Sequence, residues 1–236
     1  MTEPRIIPWK QIAVEAAAIV MSILLAFAID AWWAEEKERE VEHESLQALR
    51  GDFISSREHL ARVLRALADA RANFARFQSA TPAELTEMNP DVIRSIISGL
   101  VMTNTFDPVT ATLDALANDG RLGLISDPQL LRHLSNWQTA LNNIEDLSLE
   151  LRTASLRVRE ATELHGGPFF RWQGSLDDLQ VLQMPDGETL VDLRRDADLM
   201  GKARSHQYAL RAYLSDLRGL AETLDSTLAL LDQITS

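Results

Sequence analysis

The chain has no cysteine among its 236 residues. Disulfides, thiolate zinc sites and cysteine nucleophiles are therefore excluded, although a domain without cysteine occurs on either side of a membrane. Basic residues are also few, since 23 Lys and Arg against 35 Asp and Glu give a formal net charge of −12. This charge argues against nucleic acid as a partner and against docking on anionic lipid, because both require a basic surface.

Catalytic signatures are missing as well. No H-E-x-x-H motif, phosphate-cradling glycine loop or nucleophile elbow is present. Glu40 and His43 form one E-x-x-H pair, whereas a di-iron site in a helical bundle needs two such motifs and further carboxylates. We therefore expect no catalytic, cofactor-binding or metal-binding residues, no cofactor and no enzymatic activity.

One long apolar run is present, at residues 12–33. It contains no Lys or Arg, and its 22 residues form a helix of roughly 33 Å, enough to cross a bilayer's hydrocarbon core. Trp9 precedes it, and Trp32 and Trp33 close it, at the depths that aromatic rings prefer. We predict a transmembrane helix at 12–33 after a short tail at 1–11, with the lipid bilayer as its first partner. No other run approaches the 18 apolar residues of a second span.

Two other interpretations of this run stay open. A cleaved signal peptide would use Arg5 and Lys10 as its basic region and Ala26-Phe27-Ala28 as its cleavage site. Against this, Glu15 interrupts the apolar run early, and the apolar pattern continues beyond the site. A soluble core helix is the third interpretation, because the uninterrupted apolar stretch at 16–29 is only 14 residues long.

Orientation rests on weaker signals. Arg5 and Lys10 before the span balance Lys37 and Arg39 after it, so the positive-inside rule gives a tie. The short N-terminal tail favours a cytoplasmic N-terminus, which places the soluble domain outside the cytoplasm.

Polar and small residues share one face of the predicted span. At 100° per residue, Glu15, Ser22 and Ala26 lie within roughly 40° of arc, flanked by Ala18 and Asp30. Ala18, Ser22 and Ala26 also form a small-xxx-small pattern, which lets helices approach closely. This face predicts self-association or binding to another membrane protein. Alternatively, both carboxylates lie at the headgroup boundary and the small residues have no partner.

Heptad periodicity predicts an all-α fold beyond the span. The apolar residues of the first seam recur at intervals of seven, with Leu49, Val63, Ala70 and Phe77 as companions: Leu46, Phe53, Leu60, Leu67 and Phe74. We expect residues 34–80 to form a juxtamembrane and coiled-coil-like stalk continuous with the anchor, and residues 81–236 to form the remainder of a helical bundle.

Helix boundaries follow from local signals. The chain breaks at Thr81-Pro82 and Asn89-Pro90, and a short helix is expected at 91–101. The two Asp-Pro pairs predict helix starts, at Asp107 for a short helix to Asn118 and at Asp127 for a long helix. Gly166-Gly167-Pro168 ends the long helix, and a last helix begins near Leu190 and carries a second leucine heptad: Leu210, Leu217, Leu224 and Leu231.

Residues 169–190 are the least regular part of the chain, and the sequence leaves open whether they form a hairpin. Phe170, Arg171 and Trp172 are a candidate partner-binding loop, because aromatic residues and arginine are favoured at binding hot spots. The same rings could instead pack on the bundle.

The anchor resembles an uncharacterised family of single-pass bacterial membrane proteins, a domain of unknown function. That family's pattern is Glu, a Gly-Ile-Leu-Ile-Ala-Leu-like core, then Asp or Asn and Trp, matched here by Glu15, Ile23, Leu24, Leu25, Ala26, Ile29, Asp30 and Trp32. Ser22 replaces the family's usual Gly. Ala34 stands where the family has a Glu that follows the Trp and closes the pattern. A second match lies at 119–137, so the resemblance covers about 40 residues. It implies a helical, membrane-tethered protein and supplies no catalytic residues.

Together these observations favour a non-enzymatic scaffold or interaction protein of the bacterial cell envelope, held in the inner membrane by one span. The alternative is an extracytoplasmic helical-bundle sensor that binds a small ligand. An uncharacterised enzyme is the second alternative.

Overall fold

The computed structural model describes the backbone of residues 9–164, 170–172, 179–181 and 185–235, and the side chains of residues 18–164 and 185–235. The described elements, in chain order, are α1 (Trp9–Ser79), α2 (Pro82–Thr86), α3 (Pro90–Val101), α4 (Ala111–Asn118), a 3-10 helix (Arg121–Leu124), α5 (Pro128–Glu163), β1 (Phe170–Trp172), β2 (Leu179–Val181), α6 (Gly187–Arg195) and α7 (Ala197–Thr235). The predicted all-α class is confirmed: a long N-terminal apolar helix leads into a packed helical bundle.

The hairpin question at 169–190 is answered by β1 and β2. These two strands pair antiparallel, with Phe170 opposite Val181 and Trp172 opposite Leu179. The hairpin is the only strand pairing among the described residues.

The first helix, α1, carries the predicted seam. Its buried residues alternate at spacings of three and four from Leu46 to Phe77, the pattern that keeps one helix face toward its neighbours. Ser56 fills the one position of this seam that has no apolar residue, and it is buried too. The helix continues through Gly51, whose Cβ position meets open space.

The same alternation runs through α5 and α7. In α7 it extends from Leu199 to Leu231 and includes all four predicted heptad leucines. In α5 it passes through Leu134, Trp137 and Leu151. Burial of these apolar side chains supplies the driving force for packing.

Ion pairs give the directions of the long helices. Arg50 of α1 contacts Asp232 near the end of α7, at 2.5 Å between Nε and Oδ1. Arg57, two turns further along α1, contacts Asp225, two turns earlier in α7. The two helices are therefore antiparallel, and α5 is antiparallel to α7 as well, since His133 near its start lies against Thr227 near the end of α7.

The segment between α2 and α5 descends along α1. At its upper end, a Cβ on Gly99 would lie 2.8 Å from the carbonyl oxygen of Ala70, so α3 and α1 approach closely. At its lower end, Ser126 donates its backbone N–H and hydroxyl to Glu42 of α1. The bundle therefore has four legs in an up-down-up-down order: α1, a composite second leg, α5 and α7. The second leg consists of α3, residues 102–110, α4 and the 3-10 helix, and we call residues 102–110 the extended segment.

Two predicted helix starts are confirmed and one is wrong. Asp127 caps α5 by accepting from the N–H groups of Gln129 and Leu130, and α3 begins at Pro90 as expected. Asp107-Pro108 does not begin a helix: residues 102–110 have no regular secondary structure, and α4 starts at Ala111.

The predicted last helix is two helices. Asp186 caps α6 by accepting from the N–H of Thr189, so Pro185-Asp186-Gly187 opens a helix rather than forming a turn. A break at Asp196 then separates α6 from α7, since its carboxylate accepts from the N–H groups of Asp198 and Leu199.

Candidate functional site

The described side chains of the apolar part of α1, from residue 18 onward, are not covered by the bundle. Residues 18–40 are all exposed, and α1 is long and apolar enough to cross a membrane by its length and composition. Ten large apolar side chains of this segment are 48–66% exposed: Ile19, Val20, Met21, Ile23, Leu24, Leu25, Phe27, Ile29, Trp32 and Trp33. The expectation of a soluble core helix is therefore wrong for packing within this chain.

The predicted interaction face lies on this exposed helix. Ala18, Ser22, Ala26 and Asp30 are all exposed, and the Ser22 hydroxyl donates to the carbonyl oxygen of Ala18 at 2.8 Å. Such a bond satisfies the hydroxyl within its own helix and leaves the face free for another molecule. Glu15 lies in the helical backbone, and its side chain is outside the described residues.

Between this segment and the bundle, α1 is charged. Arg39 pairs with Glu35, and His43 bonds through Nε2 with Gln47 at 2.8 Å. Within the described part of the chain, no group of three or more His, Asp or Glu residues has the geometry of a metal site.

The extended segment at 102–110, which interrupts the helices of the second leg, is surrounded by the most polar part of the interior. Residues 103–109 take part in no backbone–backbone hydrogen bond with the rest of the described chain. Buried or unpaired backbone groups are costly, so the segment must be held by side chains. These come from all three long helices, and we call them the polar collar: Ser56 and His59 of α1, Arg152 and Ser155 of α5, and His206 and Tyr213 of α7.

The α7 members of the polar collar are the most deeply buried. The Tyr213 hydroxyl accepts from the N–H of Phe106 at 2.8 Å. His206 Nε2 donates to the Met102 carbonyl oxygen at 3.0 Å, and its Nδ1 is buried with no partner among the described residues. Both residues occupy seam positions of α7. At these positions the helix has hydrogen-bonding side chains for the extended segment in place of purely apolar ones.

Members from α1 and α5 bond to three further backbone groups. Ser56 Oγ accepts from the N–H of Val109 at 2.9 Å, and Ser155 Oγ donates to the Val101 carbonyl oxygen at 2.8 Å. His59 Nδ1 donates to the carbonyl oxygen of Asp107 at 3.0 Å. These bonds explain why Asp107-Pro108 does not start a helix: tertiary partners hold the backbone extended.

Burial shifts the pKa values of two collar residues. It lowers the pKa of His206 from 6.5 to about 4, and the bond to the Met102 carbonyl only partly opposes this. Burial also raises the pKa of the Tyr213 phenol. Both side chains are therefore neutral near pH 7 and act as hydrogen-bonding groups rather than charges.

A surface cleft of about 500 Å³ lies between the extended segment and α5. Its size falls in the range of ligand-binding pockets. One wall comes from the extended segment and the other from α5: Thr105, Phe106, Asp107, Pro108, Leu141, Asn142, Ile144, Glu145, Ser148 and Arg152.

The predicted partner-binding loop forms one strand of the hairpin. Phe170, Arg171 and Trp172 are the three residues of β1. Their side chains lie outside the described residues, and the prediction for this loop stays a prediction.

Sequence reasoning missed the polar collar and the cleft. The available signal was the set of polar residues that interrupt the heptad seams, namely Ser56, Ser155, His206 and Tyr213. No family model, no curated protein and no solved structure matches this chain.

Proposed function

We propose that this chain is a non-enzymatic helical scaffold or interaction protein of the bacterial cell envelope, anchored in the inner membrane by α1. The observation that carries this proposal is the exposed apolar segment from Ile19 to Trp33. Fully burying one large apolar side chain is worth roughly 1.5–3 kcal/mol, so ten of them favour lipid over water strongly. The resemblance of the anchor to single-pass bacterial membrane proteins agrees with this.

Continuity of α1 supports an anchor over a cleaved signal peptide. The helix runs without a break through Ala26-Phe27-Ala28 to Ser79, and it packs in the bundle from Leu46 onward. Membrane fractionation of a C-terminally tagged chain tests this. We expect the tag to stay with membranes in carbonate, at full length. Release by carbonate or high salt, or a product shortened by about 28 residues, would contradict the anchor.

We propose that the N-terminus is cytoplasmic and the bundle extracytoplasmic. The short N-terminal tail supports this orientation, while the flanking positive charges give no preference. Protease added to spheroplasts should digest the bundle and leave a membrane-protected fragment near the N-terminus. Full protection of the bundle until lysis would reverse the orientation.

Partners are proposed to bind at the exposed face of α1. Ala18, Ser22 and Ala26 allow a second helix to approach closely, and Asp30 offers it a carboxylate near the membrane boundary. The partner is either a second copy of this chain or another membrane protein. A second contact is proposed at the hairpin, through Phe170, Arg171 and Trp172.

Site-specific photo-crosslinking in intact membranes tests the scaffold function. A crosslinker at Ser22 should capture a defined partner, and the matched position Leu24 on the opposite face should not. Equal capture at both positions, or at neither, would contradict a specific membrane interface. Identification of the captured band then separates a second copy from another protein.

A ligand-binding module is the second candidate, and the cleft between the extended segment and α5 supports it. A helix break that needs six polar side chains to hold it is costly for a purely mechanical bundle. The break also opens the cleft, which an unbroken second leg would fill.

A further inference from the structure

The cleft carries opposite charges at two points along its α5 wall. Glu145 and Arg152 both line it, and they lie seven residues apart on α5. Seven residues are two helical turns, so the side chains start from the same face roughly 10.5 Å apart along the axis.

Neither charge is neutralised within the described part of the chain. Arg152 forms no ion pair there, and its one hydrogen bond, from Nη2 to Thr105 Oγ1 at 2.9 Å, leaves other guanidinium N–H groups free. Glu145 likewise forms no ion pair, and its carboxylate has no hydrogen bond there. A cation and an anion are therefore available at separate points along the cleft.

The rest of the lining is mixed in character, and it includes a second carboxylate, that of Asp107. Leu141, Ile144 and Pro108 present apolar surface, and Ser148 and Asn142 present polar groups. The opposite wall is fixed in place by the polar collar. A preformed wall reduces the entropy lost on binding, because the segment is already ordered.

We propose that this cleft binds a short zwitterionic peptide of two or three residues. Its α-carboxylate is held by Arg152, whose planar fork suits a carboxylate, and its α-ammonium is held by Glu145. An extended dipeptide or tripeptide is about 7–11 Å long, which matches the charge spacing on α5. This inference rests on the ligand-binding candidate above and names its ligand class.

The spacing disfavours other simple ligands. A free α-amino acid carries its ammonium and carboxylate groups on one carbon atom, so it is too short to contact both Glu145 and Arg152. A dicarboxylate that reached from Arg152 to Glu145 would place an anion beside the Glu145 carboxylate, and this like-charge contact is unfavourable.

Calorimetry on the full chain in lipid nanodiscs tests the proposal, with tri-alanine as the probe. N-acetyl-tri-alanine amide, which lacks both terminal charges, is the matched control ligand. We expect tri-alanine to bind, and the blocked peptide to bind at least about tenfold more weakly, because it cannot form either charge-assisted contact.

Three variants separate the cleft from the rest of α5. Glu145→Gln removes the contact with the ammonium group and should weaken tri-alanine at least about tenfold. Glu150→Gln makes the same change at an exposed position of α5 outside the cleft. The affinity of this variant for tri-alanine should stay within about twofold of that of the natural chain. Arg152→Lys keeps the charge but loses the fork, so it should also weaken binding while circular dichroism shows the fold intact.

Two results would overturn the peptide assignment: no binding of tri-alanine at millimolar concentration, or equal binding by the blocked peptide or by Glu145→Gln. Acetate and methylammonium, titrated separately, distinguish this failure from that of the ligand-binding candidate. Binding of either ion that depends on Arg152 or Glu145 would retain a ligand site and discard the peptide. No binding of any probe would discard both, while leaving the crosslinking test of the scaffold untouched.

Discussion

The hydroxyl of Tyr213 in α7 accepts a hydrogen bond from the backbone N–H of Phe106, at 2.8 Å and 107 residues away in the chain. Tyr213 is fully buried, and Phe106 is nearly so. Because no backbone partner is available to this N–H, one phenol oxygen fixes the middle of the extended segment.

Tyr213→Phe should therefore destabilise the bundle by about 1–3 kcal/mol, because it leaves a buried N–H without a partner. Urea denaturation of the full chain in detergent micelles, followed by circular dichroism, measures this. Tyr208→Phe is the matched control, since Tyr208 is 74% exposed and should change stability by less than about 0.5 kcal/mol. Equal midpoints for the two variants would show that Phe106 does not need the phenol.

The free energy of unfolding should decrease as the pH is lowered from about 6.5 to about 4, because of His206. Its pKa is lowered to about 4 in the folded chain and is near 6.5 in the unfolded chain, so only the unfolded state takes up a proton in this window. The loss should approach about 3 kcal/mol at pH 4 and stop growing below it, since both states are then protonated.

The variant His206→Gln removes this proton uptake, so the pH profile of its unfolding free energy should be flatter than that of the natural chain between pH 6.5 and 4. His43→Gln is the matched control, because it makes the same substitution at an exposed position of α1. Parallel profiles for all three chains would contradict a neutral, buried His206.

Trp137 connects three elements in the core. Its ring lies 5.0 Å from that of Phe53 on α1 and 6.4 Å from that of Phe106 in the extended segment. Trp137→Ala should cost about 3–5 kcal/mol through lost apolar contact and the cavity left behind. Leu149→Ala on the same helix removes a side chain that is 65% exposed, and it should cost far less. Thermal melts of both variants give the comparison.

Association through the proposed span should depend on small residues. Replacing Ser22 and Ala26 with Leu adds bulk to the predicted face and should reduce crosslinked species severalfold. Replacing Val20 and Ala31 with Leu adds bulk to the opposite face and should leave crosslinking unchanged. A membrane two-hybrid assay measures both pairs, and equal signals would exclude this face as the interface.

Periodic features could be predicted from the sequence, and features held by distant contacts could not. The seam from Leu46 to Phe77 repeats at spacings of three and four, and that repeat alone determines which helix face is buried. Asp127 caps its helix through neighbours two and three residues away, so its signal is local and was interpreted correctly.

Asp107 shows the opposite case. It has the same Asp-Pro signature as Asp127, yet its carbonyl oxygen is held by His59, 48 residues earlier in the chain. Local sequence carries no record of that bond, so the same pair of residues starts a helix in one place and stays extended in the other. The cleft was missed for the same reason, since it exists only because the extended segment does.

Because α1 is one continuous helix, it fixes the rotation about its axis between the small-residue face near its N-terminus and the buried seam in the bundle. Between Trp33 and Leu46 the helix has no hinge, so the direction of its small-residue face is set relative to its buried seam. At 100° per residue the two directions are roughly opposite. A partner bound to the span would therefore sit on the side away from the bundle, and two copies joined there would hold their clefts apart. Inserting two residues after Glu38 would turn one end by roughly 200° and bring the bundles toward each other. With α1 as the proposed membrane anchor, this rigid helix would set the azimuth, as well as the height, of the cleft above the membrane.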